Sequence, residues 1–479
     1  MATISSIGIG SGLDINSVIS QLVAVERIPL QQLQTESSSL QTRLSTYGKL
    51  QSAAASLRDA ASALSKADTW GQTVGSSSDA GAVSVATTSS TRAGTYSVQV
   101  TQLASVQSNA TGTFANADAI VGEGTLHIQL GTWGPGQSTF AAAAPTVDIA
   151  AGPPALSLAQ LRDKINTANA GVTASVLTDA SGSRLVLRSA DPGATNGFRV
   201  TVDDIDGNNT NGLGLSALAF DPSSSILTMA QALSAANAAA TLNGLSISSA
   251  SNTLTNVVDG LTLTLNKVTT APVVLTAAQD TPAIRKALDH FVSSYNDLNK
   301  LLFDQTKYDP SNKHSSNLQG DTAAVSLRTQ LRGLVGISSG ASSLFTRLAD
   351  IGMDVQTDGS IKLNETKLGA GIANLGEMKK LFSNVDLVTP ANAGIAGQLK
   401  TAVDQVLSAD GTIKSRTQGL QKRIDLNRNR QDKLTDRIAD VEKRLRARYT
   451  ALDRQMAGLN GLSSYVNQQV TAWNRSNSN

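Results

Sequence analysis

The strongest constraint on the fold of this chain is a seven-residue apolar repeat near its C-terminus. Two series of positions spaced by seven residues, three residues apart, carry mostly aliphatic side chains: Thr417, Ile424, Gln431, Ile438, Leu445, Leu452, Leu459 and Val466 in the first, and Leu420, Asn427, Leu434, Val441, Arg448, Gln455 and Leu462 in the second. This spacing places the side chains on one stripe of an α-helix and is typical of a coiled coil. The sequence therefore predicts a long helix that must bury the stripe against a partner.

A similar stripe near the N-terminus supplies a candidate partner. Asp14 is predicted to cap a helix, and Pro29 is expected to interrupt or restart it. Beyond Pro29 the apolar positions again step by three and four. We therefore expect residues 1–46 and 413–479 to pair as coiled-coil segments. The expected assembly seam consists of Leu22, Leu33, Leu40, Leu44, Ile424, Leu434, Ile438, Val441, Leu445, Leu452 and Leu459.

Polar side chains interrupt the C-terminal stripe. The interrupting residues are Asn427, Gln431, Arg448 and Gln455. A polar residue in a seam weakens it but fixes its register or oligomeric state, and we interpret these positions as register determinants. The alternative is that the stripe slips onto Tyr449 and Met456.

Between the two ends, the apolar period changes from 3.5 to 2. Alternation over Leu261–Leu265, Thr95–Val100 and Arg184–Arg188 predicts strands with one solvated face. Helices are predicted at Leu158–Ala168 and Ile284–Phe303. The order helix, sheet, helix predicts an α+β multidomain fold, with terminal coiled-coil helices, a helical leg domain and inserted β-rich head domains.

The expected domain boundaries follow these changes of period. Linkers are predicted at Gly75–Gly81 and at the Asp280–Pro282 turn, and the stretch Asp221–Ala240 is expected to separate two β-rich subdomains. The predicted divisions are coiled coil 1–46, leg 47–75, head 76–112, outer head 113–235 with a repeat near 156–189, head 236–280, leg 281–412 and coiled coil 413–479.

The composition excludes several classes of function. The chain has 39 Lys+Arg, 37 Asp+Glu, no Cys and only three His, which lie far apart. Thiolate chemistry is therefore absent, and no local metal-ligand motif can be drawn. The acidic run 203–209 lacks a calcium-loop pattern, and the glycines at 8–12 lack the context of a phosphate-binding loop. We expect no enzyme activity, no cofactor and no bound metal.

Membrane and nucleic-acid binding are not expected either. No apolar run is long enough to span a bilayer, and the start lacks the basic region of a secretory signal. Residues Lys414–Arg448 carry twelve Lys+Arg and five Asp+Glu. These charges flank the predicted seam, where Lys and Arg side chains cover apolar edges, and no aromatic residues are interleaved with them. We interpret the run as a solvated helix or a protein interface.

Several motifs, in order along nearly the whole chain, resemble one family. They are IGIGSGLDINSVISQLVAVERIPLQQL, LNGLSISSASNTLTNVVDGLTLTL, IRKALDHFVSSYNDLNKLL, NLQGD, LADIGMDVQTDGSIKL and YTALDRQMAGLNGLSSYVNQQ. The chain resembles the hook-associated protein 2 (FliD) family of bacterial flagellar filament cap proteins. The stretch LSLAQLRDKINTANAGVTASVLTDASGSRLVLRS is similar to a repeat shared by flagellins and their relatives.

The resemblance implies a mechanical function. Members of the family assemble as a ring-like homo-oligomer at the distal tip of the filament, outside the cell. There they retain exported flagellin and promote its folding and polymerisation. The implied partners are further copies of the chain, flagellin, hook-filament junction proteins, a cytoplasmic export chaperone and the flagellar type III export apparatus. This route fits the absence of a recognisable signal peptide.

Other functions remain open at this point. The leading alternative is a surface adhesin whose exposed β-rich domains bind host glycans. A flagellin or a junction protein is disfavoured by the opening and closing motifs. An enzyme in the variable middle is disfavoured by the lack of a nucleophile or metal motif.

Overall fold

The computed structural model describes residues 14–309 and 314–476, and the chain divides into two compact units. Residues 71–284 form the β-rich unit, and the parts of the chain before and after them form the helical unit. The helices of the described residues are α1 Ile15–Ser65, α2 Ala67–Gly71, α3 Leu158–Ala168, α4 Thr281–Thr306, α5 Thr322–Val335, α6 Glu365–Ile372, α7 Leu375–Ser383, α8 Ile395–Leu407 and α9 Thr412–Ser476.

The strands are short and connected in antiparallel pairs. In chain order they are β1 Thr73–Ser77, β2 Val83–Thr87, β3 Gly94–Gln102, β4 Ser108–Ala110, β5 Ile120–Trp133, β6 Phe140–Ala142, β7 Val147–Ser157, β8 Val172–Asp179, β9 Gly182–Ser189, β10 Gly197–Asp204, β11 Phe220–Asp221, β12 Ile226–Leu227, β13 Ala230–Leu233, β14 Ala238–Leu242, β15 Leu245–Ser249, β16 Thr253–Val258, β17 Leu261–Leu265, β18 Val273–Gln279, β19 Tyr308–Asp309, β20 His314–Ser315, β21 Met353–Val355 and β22 Ile361–Leu363.

The helical unit is built on one face of α1. Tyr47, Leu50, Leu57 and Leu64 are fully buried, and their spacing of three and seven residues keeps them on one side of the helix. This face packs against α8, and α8 in turn contacts α7 and α9. At the end of α2, Trp70 stacks on Phe382 with ring centroids 5.1 Å apart. Helices from before and after the β-rich unit therefore share one helical core.

The β-rich unit holds two separate hydrophobic cores. The first lies among the sheets β1-β18-β3-β14-β15 and β16-β17-β2, with buried side chains from 82–104 and 238–275. The second lies among β12-β11-β10-β5-β6, β7 and β13-β4-β9-β8, and it includes α3 and residues from 121 to 229. The chain therefore contributes first to the first core, then forms the second core, and then completes the first.

The predicted fold class is confirmed, because helices at both ends enclose inserted antiparallel sheets. The helix at Leu158–Ala168 has its predicted bounds, and Ser157 and Gln160 form a capping box at its start. Asp14 caps α1 as predicted, with its Oδ1 accepting a hydrogen bond from Ser17 N at 3.0 Å.

Pro29 was expected to interrupt the first helix, but α1 is continuous through it. Proline removes one backbone donor from a helix and normally breaks or kinks it. Here Pro29 lies on the exposed side of α1, while Val23 and Leu30 on the other side pack against α9. Tertiary packing therefore outweighs the local preference.

The linker expected at Gly75–Gly81 was wrong in part, whereas the boundary between the two cores falls within Asp221–Ala240, as expected. The first segment overlaps β1, where a Cβ on Gly75 would come within 2.8 Å of Val85 Cγ1, so the glycine permits close approach of two strands. The second contains strand residues from β11 to β14. Its Ala238 and Ala240 are buried in the first core, so an alanine-rich composition indicated tight packing.

Candidate assembly surface

The N- and C-terminal helices α1 and α9 pack against each other in antiparallel orientation. Glu36 of α1 lies beside Asn427 of α9, and Asn16, at the start of α1, lies beside Arg446. The residue numbers therefore rise along one helix as they fall along the other. Ile15, Ile19 and Val23 form a small apolar cluster with Ile438 of α9. Each of these four side chains is at most 5% exposed. The terminal segments of this chain therefore bury one stripe of each helix against the other.

A polar cluster interrupts this packing where the sequence predicted a polar break. Asn427 is 4% exposed, and its Nδ2 donates to Glu36 Oε2 at 3.2 Å. Gln431 Nε2 donates to Asn427 Oδ1 at 2.6 Å and to the Leu33 carbonyl at 3.4 Å. Arg423 Nη2 donates to Glu36 Oε1 at 3.2 Å. Since these bonds require one alignment of the helices, the cluster can fix their register.

The predicted seam residues fall into three groups in the structure. Buried ones are Leu40, Asn427 and Ile438; half-buried ones are Leu33, Leu44, Ile424, Gln431, Leu434, Val441 and Leu445; exposed ones are Leu22, Arg448, Leu452, Gln455 and Leu459. Leu434, Ile438 and Leu445 belong to the apolar cluster between α1 and α9. Leu33, Asn427 and Gln431 take part in the polar cluster between the same helices. The exposed group does not contribute to either cluster, and any contact it makes with another copy stays a prediction.

The stripe on α9 shifts by one residue near Arg448. Arg448 was expected to occupy the seam, but its side chain is exposed, and Tyr449 packs instead against the cluster of Ile15 and Ile19. A straight helix drifts by about 20° per heptad relative to a 3.5-residue repeat. The drift brings the neighbouring residue to the interface, and tyrosine can bury its ring there while a guanidinium keeps its charge in water.

Beyond Tyr449, α9 carries a line of exposed apolar side chains. Their exposure ranges from 36% to 69%, and they are Leu452, Met456, Leu459, Leu462, Tyr465, Val466, Val470 and Trp473. The described part of α1 begins at Ile15, opposite the start of this line. Exposed apolar surface on this scale is typical of interaction sites, and a role for this line in assembly stays a prediction.

Asp321 joins three helices in the helical unit, although nothing in its local sequence pattern reveals this contact. Its Oδ1 accepts a hydrogen bond from Tyr47 Oη at 2.8 Å, and its Oδ2 accepts from Arg416 Nε and Nη2 at 3.0 and 2.7 Å. It also caps α5 by accepting from the backbone N–H groups of Ala323 and Ala324. The contact links α1, α5 and α9 through residues separated by up to 369 positions in the sequence.

The electrostatics of this contact favour the ionised carboxylate. Burial would raise the pKa of Asp321, but the hydrogen bonds from Tyr47 and Arg416 outweigh burial and lower it. Burial, together with the hydrogen bond to the carboxylate, raises the pKa of Tyr47. Both groups therefore keep their ordinary charge at neutral pH, as a structural contact requires.

The β-rich unit contains one notable polar cluster, on the second core's sheet. His127 on β5 lies between two carboxylates, with Nδ1 2.6 Å from Asp148 Oδ1 and Nε2 3.2 Å from Asp203 Oδ2. Within the described residues, no three His, Asp or Glu side chains are placed to hold a metal ion. His290 is exposed, and the side chain of His314 and the glycines at 8–12 lie outside the described residues.

None of the helices in the described part of the chain combines the length and hydropathy needed to cross a bilayer. Two terminal helices that pair, with an exposed apolar line on one of them, are suited to binding other protein surfaces.

Comparison with protein families gives three matches along the chain. Residues 11–107 match the flagellar hook-associated protein 2 N-terminus, residues 235–461 match the corresponding C-terminus, and residues 142–191 match the flagellin hook IN motif. The last of these covers the whole of the repeat predicted near 156–189.

Individual relatives extend the similarity over the whole chain. Flagellar hook-associated protein 2 of Escherichia coli (strain K12) is 33% identical over 493 aligned positions, covering 100% of both chains. B-type flagellar hook-associated protein 2 of Pseudomonas aeruginosa PAO1 is 31% identical over 93% of both chains. The crystal structure of the flagellar cap protein FliD D1-D2-D3 domains from Escherichia coli superposes with a TM-score of 0.63 at 30% identity, covering 78% of this chain and 99% of that chain. With this similarity spanning both helical ends and the β-rich middle, the chain belongs to the flagellar hook-associated protein 2 (FliD) family of flagellar cap proteins.

Proposed function

We propose that this chain caps the distal tip of the flagellar filament as a ring-like homo-oligomer. In that position it retains exported flagellin and promotes its folding and polymerisation, so that the filament elongates. The observation that carries this proposal is the end-to-end similarity to hook-associated protein 2, which includes both terminal helices. A cap must bind a growing filament, and the exposed apolar side chains on α9 offer a surface for such binding.

The terminal helices are proposed to act as legs that dock and release. The exposed line from Leu452 to Trp473 offers apolar surface to a neighbouring copy or to the filament. Asn427 and Gln431 weaken the paired stripe at one place, because a polar pair replaces apolar burial there. A leg held by moderate forces can move when a new flagellin subunit arrives, whereas a fully apolar seam would hold it more tightly.

The β-rich unit is proposed to form the plate of the cap. Each of its two cores buries its own apolar side chains, as a rigid structural domain requires. We retain the seven-part division of the sequence as the proposed domain organisation, with the outer head at 113–235. The apolar residues Ile205 and Leu213, 73% and 69% exposed, lie in this outer part.

Further partners and the export route belong to the same proposal. The chain is proposed to leave the cell through the flagellar type III apparatus, with a cytoplasmic export chaperone, and to meet hook-filament junction proteins before the filament grows. These partners are implied by the family, and the exposed apolar line on α9 is a surface that an export chaperone would need to shield.

The adhesin alternative gains no support. The relatives and the solved structure described above are flagellar proteins, and none of these three is named as an adhesin. Host glycans are therefore not retained as a partner.

Gene deletion tests the proposed function. A strain that lacks the gene should release monomeric flagellin into the medium and lack filaments, and the full-length chain should restore them. A chain that ends after Tyr449 is the informative variant, since it keeps the α1–α9 contact but lacks the exposed line. Normal filaments in the deletion strain, with a loss only of attachment, would overturn the proposal.

A further inference from the structure

The helix α1 has a second apolar side, which its contact with α9 leaves exposed. Val18 and Leu22 immediately precede Ile19 and Val23 of the buried cluster, so they lie about 100° around the helix from it. The side chains on this second side step by four, three and three residues and are 37–63% exposed. They are Val18, Leu22, Val25 and Ile28, and we refer to them as the outer row. Apolar side chains at this spacing are typical of a helix that packs against a further partner.

The exposed line near the end of α9 has the same spacing. Its first four leucine and methionine side chains also step by four, three and three residues: Leu452, Met456, Leu459 and Leu462. Residues 455–474 contain no charged side chain, and neither do residues 15–25 of α1. A solvated helix face normally carries charges, whereas the centre of a protein interface is depleted of them. The two surfaces therefore match in spacing and in chemical character.

The outer row and the exposed line cannot meet within one chain. Because α1 and α9 are antiparallel and Asn16 lies beside Arg446, the outer row lies at the level of α9 residues that precede Arg446. The exposed line begins only at Leu452, and α9 continues from there as one helix to Ser476. Each copy thus presents both surfaces and cannot join them itself.

We infer that the exposed line of one copy of this chain packs on the outer row of a second copy. The structure supports α1 as the partner of this line, because Leu445 and Tyr449, which precede it on the same stripe of α9, already pack against α1. The inferred contact continues that stripe onto the α1 helix of the next copy. It also gives a contact to Leu22, Leu452 and Leu459, which were predicted in the seam but are left exposed by the pairing within one chain.

Two different surfaces in contact form a head-to-tail interface. Such an interface closes into a ring when the rotation between neighbouring copies permits. The contact is small, and interfaces that bury less than about 1,200 Å² are typical of transient complexes, so a single pair of copies is expected to be held weakly. Several such contacts around a ring would act together. The inference rests on the proposed function only in requiring that the chain assembles with itself.

Positive charges border the outer row, and the exposed line is compatible with them. Arg423, Arg430 and Arg437 follow one another at seven residues on α9, and Arg423 pairs with Glu36, which itself follows Leu22 by fourteen residues. The two rows therefore run side by side on one face of the helix pair. An uncharged incoming helix meets no repulsion there, and the aliphatic parts of the arginines can cover its edges. Salt is therefore expected to have little effect on the contact.

Disulfide formation between separate chains tests the contact directly, because the natural chain has no cysteine. One full-length chain carries Val25→Cys and another carries Leu459→Cys. The exposed line steps by four, three and three whether it is read forwards from Leu452 or backwards from Val466, so Leu459 meets Val25 in either direction of the incoming helix. The control mixture replaces Val25→Cys by Ser20→Cys, at an exposed position on the other face of α1, near Glu442.

The mixed disulfide should form at least about tenfold faster in the first mixture than in the control. Burial of the surface that Leu22 and Leu462 still expose favours the contact by about that factor, since together they expose about as much as one whole leucine. The preference should persist at high salt, which screens the effect of the neighbouring arginines on thiolate formation. Equal rates in the two mixtures, or a preference that disappears at high salt, would overturn the inference.

Removing one further apolar side chain from the outer row provides a second test. Leu22→Gln, added to the chain that carries Val25→Cys, should slow the mixed disulfide by at least about threefold. Leu22 is 41% exposed and outside the buried cluster, so the change leaves the α1–α9 contact of its own chain in place. Val325→Gln on α5, at a side chain that is 48% exposed, is the matched control and should leave the rate unchanged. Equal effects of the two substitutions would contradict the inferred contact.

Failure of this inference and failure of the proposed function are distinguishable. If the mixed disulfide is not favoured while the unsubstituted chain still restores filaments, the inferred contact is wrong and the cap function stands. If the unsubstituted chain does not restore filaments, the proposed function itself fails.

Discussion

Replacing Asp321 by Asn should destabilise the helical unit, because the carboxylate is a shared acceptor for three helices. In the variant, one amide oxygen can still accept from Tyr47 and the α5 backbone, but the amide N–H groups would face the Arg416 guanidinium, which is also a donor. The substitution therefore removes two charge-assisted hydrogen bonds without replacing them. Asp321 has only 3% of its side chain exposed, so water compensates little.

The expected cost is about 2–3 kcal/mol of unfolding free energy. A hydrogen bond to a charged group contributes about 1.5–3 kcal/mol, and breaking a fully buried ion pair costs about 3–5 kcal/mol. The Arg416 side chain is 34% exposed and can regain part of its hydration, which places the estimate at the lower end. Arg416→Met combined with Asp321→Asn should cost less than the sum of the two changes, because both remove the same contact.

Hydrogen exchange is the appropriate assay, because a chain with two compact units need not unfold in one step. Amides of α1, α5 and α9 near the contact should exchange about 30- to 150-fold faster in the variant, which corresponds to 2–3 kcal/mol. Asp289→Asn, which breaks an exposed ion pair with Arg285 on α4, is the matched control and should change exchange by less than about threefold. Equal effects of the two substitutions would refute the assigned role of Asp321.

Three further outcomes are expected. Changing Asn427 to Ile and Gln431 to Leu should raise the helix content and self-association of the isolated C-terminal segment, measured by circular dichroism and sedimentation, because apolar burial replaces a polar break. Asn109→Leu should stabilise the β-rich unit by about 1–3 kcal/mol in denaturant titration, because among the described residues no group hydrogen-bonds its fully buried amide. Burial would lower the pKa of His127, but the hydrogen bonds to its two carboxylates raise it. Because the folded pKa is raised, protonated His127 stabilises the folded state. This contribution is fully present below about pH 6.5 and is lost as the pH rises through the folded pKa. His127→Gln should remove this pH dependence of the melting temperature.

Each of these three outcomes can fail independently. Unchanged helix content and sedimentation of the substituted segment would end the polar-break hypothesis. A destabilised Asn109→Leu protein would indicate that the amide makes contacts which leucine cannot replace. A pH profile identical in the unsubstituted and His127→Gln proteins would show that the contacts of His127 do not contribute to stability.

Features set by local periodicity could be predicted from the sequence. The helix at Leu158–Ala168 and the strand at Leu261–Leu265 have their predicted bounds, because each combines a clear period with flanking turn or capping residues. Asn427 and Gln431 were recognised as polar breaks from the heptad alone. Their bonds to Glu36 and Leu33 could not be predicted, because the register between two helices 391 residues apart is a property of the tertiary fold.

The remaining differences arise where tertiary packing outweighs local preference. Pro29 fails to end α1 because the opposite side of the helix is held by α9. Gly75 indicated a linker but serves close strand approach. The local sequence around Asp321 predicts only a helix cap, because its contacts with Tyr47 and Arg416 depend on three helices meeting.

The antiparallel pairing of α1 with α9 also has a temporal consequence. A chain emerging from the ribosome or from a narrow channel with its N-terminus first exposes α1 long before residues 420–449 are available to cover it. Glu36 can contact Asn427, and Ile19 can contact Ile438, only after these residues of α9 have emerged. The contact between α1 and α9 therefore forms late, after the β-rich unit has emerged. A product that terminates before residue 420 would contain the whole β-rich unit but could not complete the helical one, because α1 would lack its cover from α9.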